Sequence, residues 1–81
     1  MPIDATGLSC PLPVLRLQKA LRNLEDGGRL TLHATDQMAV IDVPHFCSQN
    51  GHELVSTQTQ KAGGPGGMDL IIFEVVKGSA A

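Results

Sequence analysis

Gly7-Leu8-Ser9-Cys10-Pro11-Leu12-Pro13-Val14 is the junction around which the rest of the chain is ordered. The two prolines mark a helix start. The first four N–H groups of a helix have no partner inside it, so proline at the first position loses nothing. This puts Pro11 at the first helical position, Cys10 at the N-cap, and Leu12 and Pro13 in the first turn. The residue before a proline is pushed toward extended backbone, as an N-cap requires. Neither proline can donate, so the amides of Leu12 and Val14 are the free donors near the sulfur. Helix N-termini favour negative charge, and the thiolate is the nucleophilic form of cysteine. The expectation is an exposed sulfur that ionises more easily than an ordinary thiol. The same position also suits a small apolar residue that merely precedes a helix.

Working outward, Pro2 to Ala5 reads as a short strand, and Thr6-Gly7 turns the chain into the cysteine segment. From Pro11 to Leu24, Val14, Leu17, Leu21 and Leu24 recur at helical spacing, with Arg16, Lys19, Arg22 and Asn23 opposite. Glu25-Asp26-Gly27-Gly28 stops that helix. Arg29 to Thr35 alternates, with Leu30, Leu32 and Ala34 on one side, as in a half-buried strand.

Asp36 is placed to cap the next helical segment. Pro44 predicts an interruption, because proline inside a helix costs about 3 kcal/mol or more. The expectation is a loose turn over Gln37–Ile41, then a firm helix from Val43 to Asn50 capped by Asp42. Val40, Val43, Phe46 and Cys47 would form its apolar face, and Gly51 its end. His52 to Gln60 is polar and extended, an edge strand. Lys61 to Gly67 is a glycine-rich connection, and Met68 to Val76 an apolar strand that belongs inside a sheet.

The order βαβαββ, with right-handed crossovers, predicts an α/β two-layer sandwich: a four-stranded mixed sheet with two helices on one face. The second strand should run parallel to the first, and the last two should form a hairpin. Residues 1–78 read as one domain. The chain end, from Lys77 on, reads as a frayed tail, flexible over residues 79–81.

The 81 residues carry a formal net charge of −2 and two aromatic residues, Phe46 and Phe73. Neither a basic patch nor a stacking surface is present, which argues against direct nucleic-acid binding. No apolar run is long enough to span a membrane, and the N-terminus lacks signal-peptide character, so the expected compartment is the cytoplasm. Cys10 and Cys47 lie too far apart in sequence for a Cys-x-x-Cys site, and reduced thiols are expected there.

Asp4-Ala5-Thr6-Gly7-Leu8-Ser9-Cys10-Pro11-Leu12-Pro13, with its Cys-Pro-x-Pro core, resembles the TusA/SirA/YedF type of small sulfur carrier. The likeness continues through Asp42-Val43-Pro44-His45-Phe46-Cys47, Gly51-His52-Glu53-Leu54 and the closing apolar strand. The resemblance implies a two-layer sandwich whose last strand lies between the second and third. It implies that Cys10 carries a transient persulfide, with no resident cofactor, and that Pro11 and Pro13 shape the site, which the Leu12 and Val14 amides are read above to support. Sulfur would arrive from a cysteine desulfurase or a rhodanese-like donor. It would leave to a relay partner for tRNA thiolation, cofactor synthesis or sulfur oxidation. This is a sulfurtransferase role rather than that of a conventional enzyme. The family's tRNA-thiolation members often carry an acidic residue where Leu12 stands, which leaves the pathway open.

Other residues read more plainly. Cys47 suits a buried structural thiol better than a resolving cysteine. His45, Cys47 and His52 match no common zinc spacing, so no metal is expected. His33 reads as a solvent-facing strand residue, and Gly63–Gly67 lacks the Gly-Lys-Ser/Thr of a phosphate loop. Arg16, Lys19 and Arg22 form a basic stripe, either a solvated face or a docking surface for an acidic partner. The alternatives to a carrier are a non-enzymatic interaction module and a thiol redox sensor.

Overall fold

A computed structural model describes residues 2–78. The elements run β1 (Pro2–Ala5), α1 (Leu12–Arg22), β2 (Arg29–Ala34), α2 (Ala39–Asn50), β3 (Glu53–Gln60) and β4 (Leu70–Val76). The four strands form one sheet in the order β1-β2-β4-β3. β1 and β2 are parallel, and β4 is antiparallel to both β2 and β3. The mixed sheet, the parallel first pair, the closing hairpin and the interior placement of β4 are as the sequence predicts.

The alternation in each strand decides what is buried. Ala5, Leu30, Leu32, Ala34, Ile71, Phe73 and Val75 point to one side of the sheet and are all 5% exposed or less. α1 covers them with Leu17 and Leu21, and α2 with Ala39, Val43 and Cys47, all in one continuous cluster. Each of the larger buried side chains contributes roughly 1.5–3 kcal/mol by leaving water. The opposite side of the sheet is mixed, with Leu70, Ile72 and Val76 beside Thr31 and His33, and there Arg29 on β2 pairs with Glu74 on β4 at 2.5 Å.

Three expectations need correction. α2 is continuous from Ala39 to Asn50, although Pro44 lies inside it. Pro44 cannot bond the carbonyl of Val40, but that residue is exposed, so water can serve the carbonyl. Ala39, Val43 and Cys47, spaced by four, are all buried, and this packing outweighs the lost bond. Val40 itself, assigned to the apolar face, is 42% exposed; Ala39 takes its place. α1 ends at Arg22, two residues before the expected stop, because the N–H groups of Asn23 and Leu24 already bond the carbonyls of Ala20 and Leu21 in short turns.

The expected fraying from Lys77 also fails at its first two residues. The Lys77 N–H donates to Gly28, the Gly27 N–H donates to the Lys77 carbonyl, and the Gly78 N–H donates to His52 Nδ1. The flexible tail expected at 79–81 lies outside the described residues.

All the connections that matter for function meet at one end of the sheet. The carboxyl ends of β1 and β2, the starts of α1 and α2, and the β3–β4 loop lie there. Gly7, at φ +78, makes the turn out of β1, and its N–H donates to Thr35 Oγ1 at the end of β2. The glycine-rich loop is organised there too: the Gly64 N–H bonds the Met68 carbonyl, and the Ala62 N–H bonds Asp69 Oδ1.

Candidate functional site around Cys10

Cys10 lies at this end and is exposed, as expected, but it is not the N-cap. Helix α1 begins at Leu12, Pro11 is its N-cap, and Pro13 occupies an early position where its missing N–H costs nothing. The helical ladder opens with the Leu15 N–H on the Pro11 carbonyl, which shifts the start by one residue. The Cys10–Pro11 peptide bond is cis. The Leu12 N–H, expected to face the sulfur, donates instead to the Ser9 carbonyl at 2.9 Å. Among the described residues no backbone amide donates to Sγ.

Carboxylates surround the cysteine instead. Cys10 Sγ donates to Asp42 Oδ2 at 2.7 Å. The Cys10 N–H donates to Asp36 Oδ2 at 2.6 Å. Asp36 Oδ1 also accepts from the Met38 N–H at 3.0 Å, a local turn that leads into α2; the N-cap of that helix is Met38, not Asp36 as the sequence predicts. These two amide bonds hold the Asp36 carboxyl below its ordinary pKa. The effect on the thiol is the reverse of the sequence expectation. The hydrogen bond to Asp42, desolvation, and the charges of Asp42 and Asp36 push the Cys10 thiol up. The resting sulfur is accessible and protonated.

A groove of about 300 Å³ leads from the sulfur between the two helices. Pro11 and Val14 form its α1 side, and Asp42, His45, Phe46, Gln49 and Asn50 its α2 side. Of the supporting residues read from the sequence, Pro11 and Val14 line this groove. Pro13 is buried and does not line it, and Leu12 lines a different groove. Leu12 and Leu15 belong to a second open groove of about 570 Å³, with Ile3, Leu8 and Ala20, edged by Arg16 and Lys19. Arg16 also donates to the Asp4 carbonyl at 2.9 Å, tying α1 to β1. Arg22 lies elsewhere, near Asn50, His52 and Lys77, so the expected basic stripe is divided between two surfaces.

Cys47 is 2% exposed, in the core between α2 and the sheet, and burial pushes its thiol up. His52 stacks on Phe46 with ring centroids 5.9 Å apart, and His33 lies on the side of the sheet away from the helices, opposite Ile72. Asp42, which touches the sulfur, and His45, which lines the groove, are the residues near Cys10 that sequence reasoning misses. Spacing alone assigns Asp42 to a helix cap, yet both residues stand in the Asp42–Cys47 run that carries the family likeness.

A sequence model of the family described as Sulfurtransferase TusA matches residues 1–68, which include Cys10, Asp36 and Asp42. The chain belongs to the TusA family. The sulfur carrier protein TusA of Pseudomonas putida is 50% identical over 56 residues, 69% of this chain and 70% of that protein. A putative sulfur carrier protein of Neisseria meningitidis is 48% identical over 58 residues, 72% of this chain and 78% of that one. The SirA-like protein of Desulfitobacterium hafniense has a similar crystal structure, with a TM-score of 0.70 at 25% identity over 96% of this chain and 97% of that one. The structural likeness therefore extends through β4, beyond the segment matched by the family model. Among the described residues no helix is long and apolar enough to cross a membrane.

Proposed function

We propose that this protein carries sulfur as a persulfide on Cys10, taking it from one partner protein and passing it to another. The observation that carries this reading is that only one of its two cysteines is reachable. Cys10 is exposed within the TusA-matched segment, whereas Cys47 is buried. Relatives named as sulfur carriers support the same role.

The chemistry needs only sulfur exchange. Cys10 Sγ attacks the terminal sulfur of a donor persulfide, a new S–S bond forms, and the donor S–S bond breaks with its electron pair left on the donor. The donor sulfur then takes up the proton that Cys10 gave up. No oxidant or reductant enters. Loading from a cysteine desulfurase or a rhodanese-like donor, and unloading to a relay acceptor, use the same steps in opposite directions. A carrier of this kind works where thiols stay reduced, which points to the cytoplasm.

Intact-mass spectrometry after incubation with a cysteine desulfurase and cysteine tests the reading. The wild-type chain gains one sulfur and Cys10→Ser gains none. A Cys10→Ser chain that still gains sulfur, or a wild-type chain that never does with any donor, overturns it.

A further inference from the structure

The sulfur that the carrier reading calls on to react is held by a carboxylate, and among the described residues no cationic side chain pairs with that carboxylate. Cys10 Sγ donates to Asp42 Oδ2 at 2.7 Å. The groups facing this sulfur can be taken element by element. α1 contributes Pro11 and Val14 to the groove, neither charged. α2 contributes Asp42 and His45, and the β2–α2 connection contributes Asp36 through the Cys10 amide. Arg16 and Lys19 edge the other groove. Among the described residues the ion pair within 4 Å is Arg29–Glu74, so neither Asp36 nor Asp42 has a cationic side chain on it.

We propose that Asp42 is a positioning residue for Cys10, which keeps the proton on the sulfur in the free carrier and makes sulfur exchange favour a partner that brings a positive charge beside its own reacting sulfur. This rests on Cys10 being the sulfur-bearing residue. Two states of the carrier lead to the same requirement. In the unloaded state Asp42 accepts from the thiol, so Cys10 is a weak nucleophile until an outside cation competes for the carboxylate. In the loaded state Sγ carries no proton and that hydrogen bond is gone. The terminal sulfur, about 2 Å further out, is anionic and stands near two carboxylates. A cation from the acceptor relieves that repulsion as the cargo leaves.

Reaction of Cys10 with three small disulfides at pH 7.5 and low salt separates charge from access. These are cystamine (cationic), 2-hydroxyethyl disulfide (neutral) and 3,3′-dithiodipropionate (anionic). In each case the Cys10 thiolate displaces one half as a thiolate and forms a mixed disulfide. Wild type reacts fastest with cystamine and slowest with dithiodipropionate, with a spread of about tenfold or more. In Asp42→Asn the spread narrows to roughly twofold, and alkylation by neutral iodoacetamide at pH 7.5 rises several-fold as the pH profile moves down. Asp42→Glu restores the charge ordering. Burial of Cys47 against thiol reagents checks that each variant is folded. Should Asp42→Asn fail to fold, about 0.5 M salt on wild type must itself narrow the spread.

An unchanged charge ordering and pH profile in folded Asp42→Asn, or a wild-type spread indifferent to salt, overturns the proposal. These readouts involve no persulfide. If wild type keeps the charge ordering but gains no sulfur from a desulfurase, the carrier reading fails and the role of Asp42 toward the thiol stands.

Discussion

Cys10 and Cys47 are the same residue in one small domain, and both thiols are held protonated, but for different reasons. Cys47 is raised by burial between α2 and the sheet. Cys10 is raised first by its hydrogen bond to Asp42, at an exposed position. The distinction is between a fixed state and a reversible one. Burial can be undone only by opening the fold. A hydrogen bond to a half-buried carboxylate can be undone by whatever docks on it. A sulfur carrier gains from the second arrangement, because its thiol stays quiet in solution and reacts in a complex.

The comparison breaks first, and most completely, on substitution. Cys10→Ser abolishes sulfur gain from a desulfurase while the circular dichroism and the denaturation midpoint stay those of wild type. Cys47→Ser still loads. The next contrast is kinetic. With iodoacetamide on the native protein, Cys10 reacts and Cys47 is slower by on the order of a hundredfold or more, since it waits for local opening. Equal rates would dissolve the distinction between the two sites.

Stability divides them the other way. Cys47→Ser places a hydroxyl in the core and lowers unfolding free energy by roughly 1–3 kcal/mol, read as a shift in urea midpoint. The pH dependence has a definite sign. The Cys10 pKa is raised in the folded chain, so its alkylation profile lies at higher pH than that of an unhindered thiol. The stabilisation from the protonated thiol is present below the unfolded thiol's pKa and is lost as pH rises through the folded value. Asp36 is lowered, so its contribution is present above the ordinary aspartate pKa and is lost as pH falls through the folded value. An alkylation profile matching that of a free thiol contradicts the geometry at Asp42.

The smallest expected effect is at the second groove. Arg16→Glu with Lys19→Glu slows loading a few-fold at low salt and leaves the fold intact. Unchanged kinetics dismiss a docking role for that edge.

Most of the fold is legible because strand alternation and helical spacing name the buried set directly. Leu30, Leu32 and Ala34, Leu17 and Leu21, and the run through Phe73 all declare themselves by period alone. Pro44 misleads because a local rule, weighed by itself, omits the packing of Ala39, Val43 and Cys47 that overrides it. The site is legible as a residue but not as an environment. Cys-Pro-x-Pro marks the cysteine, yet its ionisation is set by Asp36 and Asp42, which stand 26 and 32 residues further along. Spacing within one helix cannot reveal a carboxylate supplied by another. A one-residue shift in the start of α1 is enough to replace an expected amide with an observed carboxylate.

The central claim is that Cys10 alone bears the cargo. The most direct measurement loads the wild-type protein with a desulfurase and cysteine, blocks persulfides and thiols by alkylation, and maps the added sulfur by peptide mass spectrometry. One extra sulfur is expected on the peptide containing Cys10 and none on the peptide containing Cys47. Sulfur found on Cys47, or on neither peptide while the total mass rises, contradicts it.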